Sequence, residues 1–248
     1  MDRKYWEKIA PEYNEEIFDV LKQDKKGLIR KAILRYAGKE KTVLDAGCAI
    51  GKWLPVLSPL FKKVIAADIS SKNLAIAEKN HPQLFNVLYK RMDMSSPGAQ
   101  LIKADMVLCV NAILTDSLKK RHVFFKNLGK SIKKGGHLVL VVPSLDSYLF
   151  TRIIQHRWKI DRSLLSEKLS PGEGLKKYRN VLQGNLDIDG VPTKHYLKEE
   201  LVLLLDEVGI EAREFNKIEY GWETEFVKPP AWLIDPKPWD WMVVGVKK

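Results

Sequence analysis

Between residues 42 and 142 the chain alternates two hydrophobic patterns. Short β-branched or mostly apolar runs at 42–44, 63–67, 85–89, 106–110 and 137–142 are bounded by polar residues or glycine. Runs of that length predict strands buried on both faces. Between them, 52–61, 72–79 and 118–132 carry apolar residues at helical spacing. Ser70 or Ser71 stands where an N-cap is needed ahead of the second helix. The third runs into Lys133-Lys134-Gly135-Gly136, a cationic last turn and a glycine stop. Such strand–helix alternation predicts an α/β fold with a doubly wound, mostly parallel sheet and helices on both faces. Ligands on such a sheet sit at the carboxyl ends of the strands, where strand order reverses.

The flanks are less regular. Residues 4–36 read as one or two amphipathic helices. Residues 143–193 have weaker periodicity and contain Pro-Gly-Glu-Gly at 171–174; following a strand end, they are expected to fold over the ligand cleft. A helical pattern at 196–208 ends at Gly209, and 210–219 and 239–246 read as late strands able to pair antiparallel at the sheet edge. The expected organisation is one domain, 1–248: an N-terminal helical cap (1–40), a cofactor-binding core (41–143), a lid or substrate insertion (144–194) and a C-terminal completion of the sheet (195–248).

Composition changes this picture little. At 248 residues, 45% hydrophobic and 29% charged, the chain has the profile of an ordinary globular protein. No apolar run approaches the roughly 20 residues of a membrane span. The charged start lacks the apolar core of a secretory signal, so a cytoplasmic protein without a membrane partner is expected. Cys48 and Cys109 are expected to be free thiols inside the fold. The formal charge of +11 fits either a nucleic-acid or acidic partner or a lysine-rich solvated surface, and the basic residues are scattered in pairs. No Cys/His cluster has metal-ligand spacing, so no metal is expected; His122 and His137 stand alone.

The chemistry concentrates at Asp45-x-Gly47-x-Ala49-x-Gly51. Gly47 and Gly51 allow torsions and close approaches that a side chain would block. Dinucleotide turns present Gly-x-Gly-x-x-Gly to a pyrophosphate, which a neighbouring carboxylate would repel. An acid in first place suits a ligand with an ammonium group and no phosphate. Further acids follow at Asp68, in Val64-Ile-Ala-Ala-Asp68-Ile69, and at Asp93, in Tyr89-Lys-Arg-Met-Asp93-Met94. Asn111 follows the fourth run, and Gly135-Gly136 introduces the fifth.

In that order and spacing, the series resembles class I (Rossmann-like) S-adenosylmethionine-dependent methyltransferases. Ala49 departs from the glycine more usual there. The resemblance implies a seven-stranded sheet with an antiparallel last strand. It further implies S-adenosylmethionine as cofactor and S-adenosylhomocysteine (SAH) as product. It makes Asp45, Gly47, Cys48, Ala49 and Gly51 the cofactor's turn, and Asp68 with Ile69 the ribose contact. Asp93 with Met94 becomes the adenine contact, with Asn111 beside the methionine end. Tyr5-Trp6…Tyr13 is similar to the opening helix of small-molecule relatives, which makes Tyr13 a candidate cofactor contact beside a packing role.

Methyl transfer needs in-line positioning, and a base only where the acceptor must lose a proton. His195 and Tyr196, just before the late helix, are the candidate catalytic residues; Tyr148, Arg152, His156 and Trp158 are lesser ones. Trp222, Trp232, Trp239 and Trp241 read as core packing or as an apolar wall. The Asn-Pro-Pro-Tyr signature of amino-methylating nucleic-acid enzymes is absent at Asn111-Ala-Ile-Leu. The expected acceptor is a small molecule, with RNA or protein acceptors, or a non-catalytic binding relative, as alternatives.

Overall fold

The computed structural model describes residues 1–160, 171–188 and 190–248. Seven strands form one sheet: β1 (Gly38–Ala46), β2 (Phe61–Asp68), β3 (Val87–Arg91), β4 (Ala104–Val110), β5 (Ile132–Pro143), β8 (Ile210–Glu219) and β9 (Trp239–Lys247), in the order β3-β2-β1-β4-β5-β9-β8. β1 to β5 pair in parallel, and β9 runs antiparallel to both its neighbours. The order reverses between β1 and β4, so the carboxyl ends of those strands open the main crevice.

Both faces of the sheet are covered, which explains the near-continuous apolar runs. Leu44, Val107, Cys109, Leu138 and Leu140 pack with Phe124, Phe125 and Leu128 of helix α7 (Leu118–Lys130) and Leu201 and Leu205 of α10 (Lys198–Glu207). Val43, Met106, Leu108, Val139 and Val141 point the other way, onto Ile29 and Ile33 of α4 (Leu28–Tyr36), Leu54 and Leu57 of α5 (Leu54–Leu57) and Ala77 of α6 (Ser71–Asn80). Full burial of each Leu, Ile or Met contributes about 2 kcal/mol before conformational entropy is charged. Cys48 and Cys109 are buried free thiols.

Four segments depart from the sequence pattern. Residues 4–36 form four helices, not one or two: α1 (Arg3–Ile9), α2 (Tyr13–Glu16), α3 (Val20–Gln23) and α4. Pro11 interrupts the first as a 3-10 turn, and left-handed Gly27 starts the last, whose first amides Leu28 N and Ile29 N donate to Asp24. The predicted helix at 52–61 shrinks to the single turn α5. Pro55 occupies its first turn; Ser58 still has helical torsions, but Pro59 has no N–H to continue the ladder and its ring blocks the next turn. Phe85 lies outside β3 and is exposed. Lys133-Lys134-Gly135-Gly136 belongs to β5, in a register shift opposite β4, rather than to the end of α7.

The stretch after β5 builds α8 (Leu145–Trp158), α9 (Pro171–Leu182) and a hairpin of β6 (Asn185–Ile188) and β7 (Val191–Lys194). The α8 start is capped by Ser144 Oγ, which accepts from Ser147 N at 3.0 Å. The chain from 193 to 196 is strapped across the ends of β4 and β5. Lys194 N donates to Leu114 O at 2.9 Å, and Tyr196 N donates to Pro143 O at 2.8 Å.

Candidate active site

The turn after β1 leans on the end of β2: Gly47 N and Cys48 N both donate to Ala67 O, at 2.8 and 2.9 Å. Gly47 has φ +85°, and a Cβ there would lie 2.4 Å from the Ala112 Cβ. Two strand-end loops thus touch where only hydrogen fits. Ala49 is also left-handed, φ +48°, a torsion costing a non-glycine residue on the order of 1 kcal/mol. Its N–H donates to Asp68 Oδ2 at 2.9 Å, so the hydrogen bond holds a torsion that glycine would adopt freely. Gly51, φ +81°, lies beneath the turn, where a Cβ would meet Leu54 Cδ1 at 2.7 Å and Ala77 Cβ at 3.0 Å.

Asp68 Oδ1 accepts from Ser70 N at 2.8 Å and from Asn73 Nδ2 at 3.4 Å. Burial pushes its carboxyl above the usual range, and those hydrogen bonds oppose the shift. Each carboxylate oxygen retains acceptor capacity toward the cleft. Asp93 Oδ1 is fixed by Ser95 N at 2.8 Å and Ser95 Oγ at 2.6 Å. One cleft, over β1–β4, is lined by Asp68, Ile69, Asn73, Asp93, Met92 and Met94, and closed by Ala112 and Phe124.

Through Tyr13, Gly47, Ala49 and Asn111 it joins a larger cleft toward β5 and β9. Asp45 is its floor: 2% exposed, with no hydrogen-bond partner for Oδ2. Burial, then the charge of Asp68, pushes this carboxyl up to about 8. Asn111 is left-handed (φ +45°); its Nδ2 donates to Asp240 Oδ2 at 2.9 Å, and its buried Oδ1 is unpartnered. Tyr220 Oη donates to Asp240 Oδ1 at 3.2 Å. Burial raises Asp240 to about 6 against those two bonds, and raises Glu225, also on the cleft wall, to about 6. At the rim, Lys52 Nζ lies 2.8 Å from Asp19 Oδ2 and 5.6 Å from the Tyr13 ring centre. The Tyr13 phenol is held above its ordinary range by burial and by Asp68.

The structure brings Tyr13, Asp45, Gly47, Cys48, Ala49, Asp68, Ile69, Asp93, Met94 and Asn111 to these joined clefts. Gly51 does not line them; it supports the turn from below. The expected catalytic pair separates. His195 lines the larger cleft, whereas Tyr196 is fully buried and its Oη donates to Ile113 O at 2.9 Å, making it a strut. Of the lesser candidates, Tyr148 packs its ring 5.5 Å from that of His195, with Arg152 over its other neighbourhood at 4.9 Å. His156 and Trp158 are exposed. Trp222, Trp239 and Trp241 are core residues, and Trp232 is 55% exposed; none lines either cleft.

Sequence reasoning missed Asp19, Lys52, Asn73, Glu225 and Asp240. Only Asp240 carried a signal, an acid between two tryptophans at the start of an otherwise apolar strand. Among the described residues no His/Cys/Asp/Glu group could hold a metal ion, and no helix is long and apolar enough to cross a membrane.

Residues 20–179 match a family model described as a methyltransferase domain. Over 119 residues the chain is 29% identical to the probable S-adenosylmethionine-dependent methyltransferase CRG1 of Saccharomyces cerevisiae, a match covering 44% of this chain and 38% of that protein. The match thus spans under two fifths of that relative's length. Among solved structures, the fold is similar to a methyltransferase from Methanosarcina mazei (20% identity, TM-score 0.59, 87% of this chain and 96% of that one). It is also similar to one from Anabaena variabilis (15%, 0.64, 99% and 93%). A third is the magnesium protoporphyrin IX methyltransferase of Synechocystis PCC 6803, crystallised with SAH (14%, 0.57, 99% and 98%). At these identities the likeness is one of fold.

Proposed function

The chain belongs to the methyltransferase-domain family of S-adenosylmethionine-dependent enzymes, and on that premise we propose that it methylates a small molecule held in the larger cleft. The observation that carries the reading is Asp45, a buried carboxyl group with an unpartnered oxygen on the floor of a cleft. Burying such a group costs several kcal/mol unless a ligand completes it, and an ammonium group does so.

The residues fit the cofactor. Asp45 Oδ2 and Asn111 Oδ1 are unpartnered acceptors for its ammonium end, and Lys52 at the rim offers a cation to its carboxylate. Gly47, with no Cβ to push Ala112 away, lets the turn after β1 and the loop after β4 form one continuous wall for it. Asp68 has acceptor capacity for two ribose hydroxyls, and Asp93 stands with Met92 and Met94 for the adenine. When bound, S-adenosylmethionine supplies a methyl group activated by a positive sulfonium. The protein's own part is to align the acceptor and exclude water.

A small acceptor is favoured because the larger cleft is roofed from two sides. Trp6, Tyr13 and Phe18 of the N-terminal segment and Ile188, Val191 and Thr193 of the β6–β7 hairpin all line it. In this reading 1–40 acts as a cap, 41–143 as the cofactor core, 144–194 as the lid (of which 161–170 and 189 lie outside the described residues) and 195–248 as the completion of the sheet. The test uses methyl-labelled S-adenosylmethionine with a deproteinised metabolite extract, with total RNA and with total protein. Label in a metabolite supports the proposal. Label confined to RNA or protein, or none with SAH binding intact, overturns it.

A further inference from the structure

The stretch 193–196 is pinned on every side. Lys194 N donates to Leu114 O, His195 N to Gly184 O at 2.7 Å, Tyr196 N to Pro143 O, and Leu145 N to Tyr196 O at 2.9 Å. Gly184 is left-handed, and a Cβ there would lie 2.3 Å from His195 O. Lys194 Nζ is tied to Glu200 and to Gln183 O. The His195 backbone is therefore fixed beside the carboxyl ends of β4 and β5, across the sheet from Asp68 and Asp93.

The residue is 8% exposed, yet it lines the larger cleft together with Asp45, Asn111, Glu225 and Asp240. Nδ1 lies 3.1 Å from Thr193 O. A carbonyl only accepts, so Nδ1 carries the hydrogen and Nε2 the lone pair. Among the described residues Nε2 has no hydrogen-bond partner. A helix-capping role does not account for the residue, because α10 begins after Leu197, whose N–H is met by Glu200 Oε2.

Resting on the methyltransferase reading above, we propose that His195 Nε2 is the base that takes the acceptor's proton, and that the acceptor is a phenolic or enolic hydroxyl compound. The acceptor's O–H bond breaks and its proton passes to Nε2. The freed oxygen pair forms the new O–CH3 bond, while the pair of the broken S–CH3 bond stays on sulfur. A neutral amine would not need this device, since its nitrogen already has a lone pair. A carboxylate acceptor would meet Glu225 and Asp240 on the same wall. Burial lowers the imidazole to about 4, which keeps it neutral and its lone pair free at neutral pH. So weak a base suits an acidic hydroxyl rather than an aliphatic alcohol.

The experiment compares wild type with His195→Ala and His195→Gln in the labelled-metabolite assay, with SAH calorimetry and nitrogen NMR of the imidazole rings alongside. Expected are an O-methyl product, a rate loss of about 100-fold or more in both variants, unchanged SAH affinity, and a wild-type ring with bare Nε2 and protonated Nδ1. An N-methyl or ester product, variant rates within threefold of wild type, or a protonated Nε2 overturns the proposal. Wild type labelling no metabolite overturns instead the small-acceptor reading on which this one rests.

Discussion

Asp45 and Asp68 illustrate how two carboxylates 23 positions apart take different work from their surroundings. Asp68 accepts hydrogen bonds from Ala49 N of the turn after β1, from Ser70 N and from Asn73 Nδ2 of α6, so it organises the protein as well as lining the cleft. Asp68→Ala is expected to weaken SAH binding by roughly 1–3 kcal/mol and to lower stability by about 1 kcal/mol for each lost bond; calorimetry and denaturant melts measure the two. Asp45 has no such support and sits at about 8. A carboxyl raised this way in the folded state contributes stability present below its unfolded value near 4, and that stability is lost as pH rises through about 8. The ligand-free protein should therefore melt at higher temperature as pH falls from 8 toward 5, a trend that Asp45→Asn should flatten. An ammonium partner demands the ionised form, so SAH binding at pH 7 should release a proton from Asp45. Its affinity should grow by up to about tenfold per pH unit below 8, and calorimetry in buffers of different ionisation enthalpy reads that proton directly. Asp45→Asn should abolish the release; an undiminished release would remove Asp45 from the ammonium's site.

At the scale of elements, Gly47 and Ala112 place the turn after β1 and the loop after β4 in contact. Gly47→Ala is expected to cost at least about 2 kcal/mol of stability and most SAH affinity. Adding Ala112→Gly should recover part of the packing loss but none of the torsional cost at φ +85°, so a double-mutant melt separates the two. The strands were legible because two-sided burial writes apolar runs, and 210–219 coincides with β8. The acids at strand ends were legible because sheet topology fixes where such ends converge. Helix lengths were not, because Pro55 and Pro59 truncate α5. Glu225 and Asp240 were not, because they lie 114 and 129 positions from Asn111 in sequence and reach the cleft only when the chain folds back. Nothing in a local window distinguishes Tyr196 from His195; only the fold sends one ring into the core and the other to the cleft.

At the scale of the whole molecule, a chain of formal charge +11 presents a ligand cleft walled by Asp45, Glu225 and Asp240. The basic balance of the chain thus contrasts with the acids that line its cleft. Ligand linkage gives a direct check: SAH at 100 times its Kd should stabilise the fold by about 2.7 kcal/mol, while NAD at equal concentration should leave the melt unchanged. Stabilisation by NAD alone would replace the assignment with a nucleotide-dependent redox enzyme. The position of β9 has a further consequence for how the molecule comes together. The cofactor half closes over short loops within residues 38–111, whereas β9 must return across the whole insertion to lie between β5 and β8. Loop closure disfavours the longer return and slows pairing of strands distant in sequence. Folding is thereby biased to shape the crevice over β1–β4 first, and to bring Asp240 to Asn111, and with it the wall of the larger cleft, at the end.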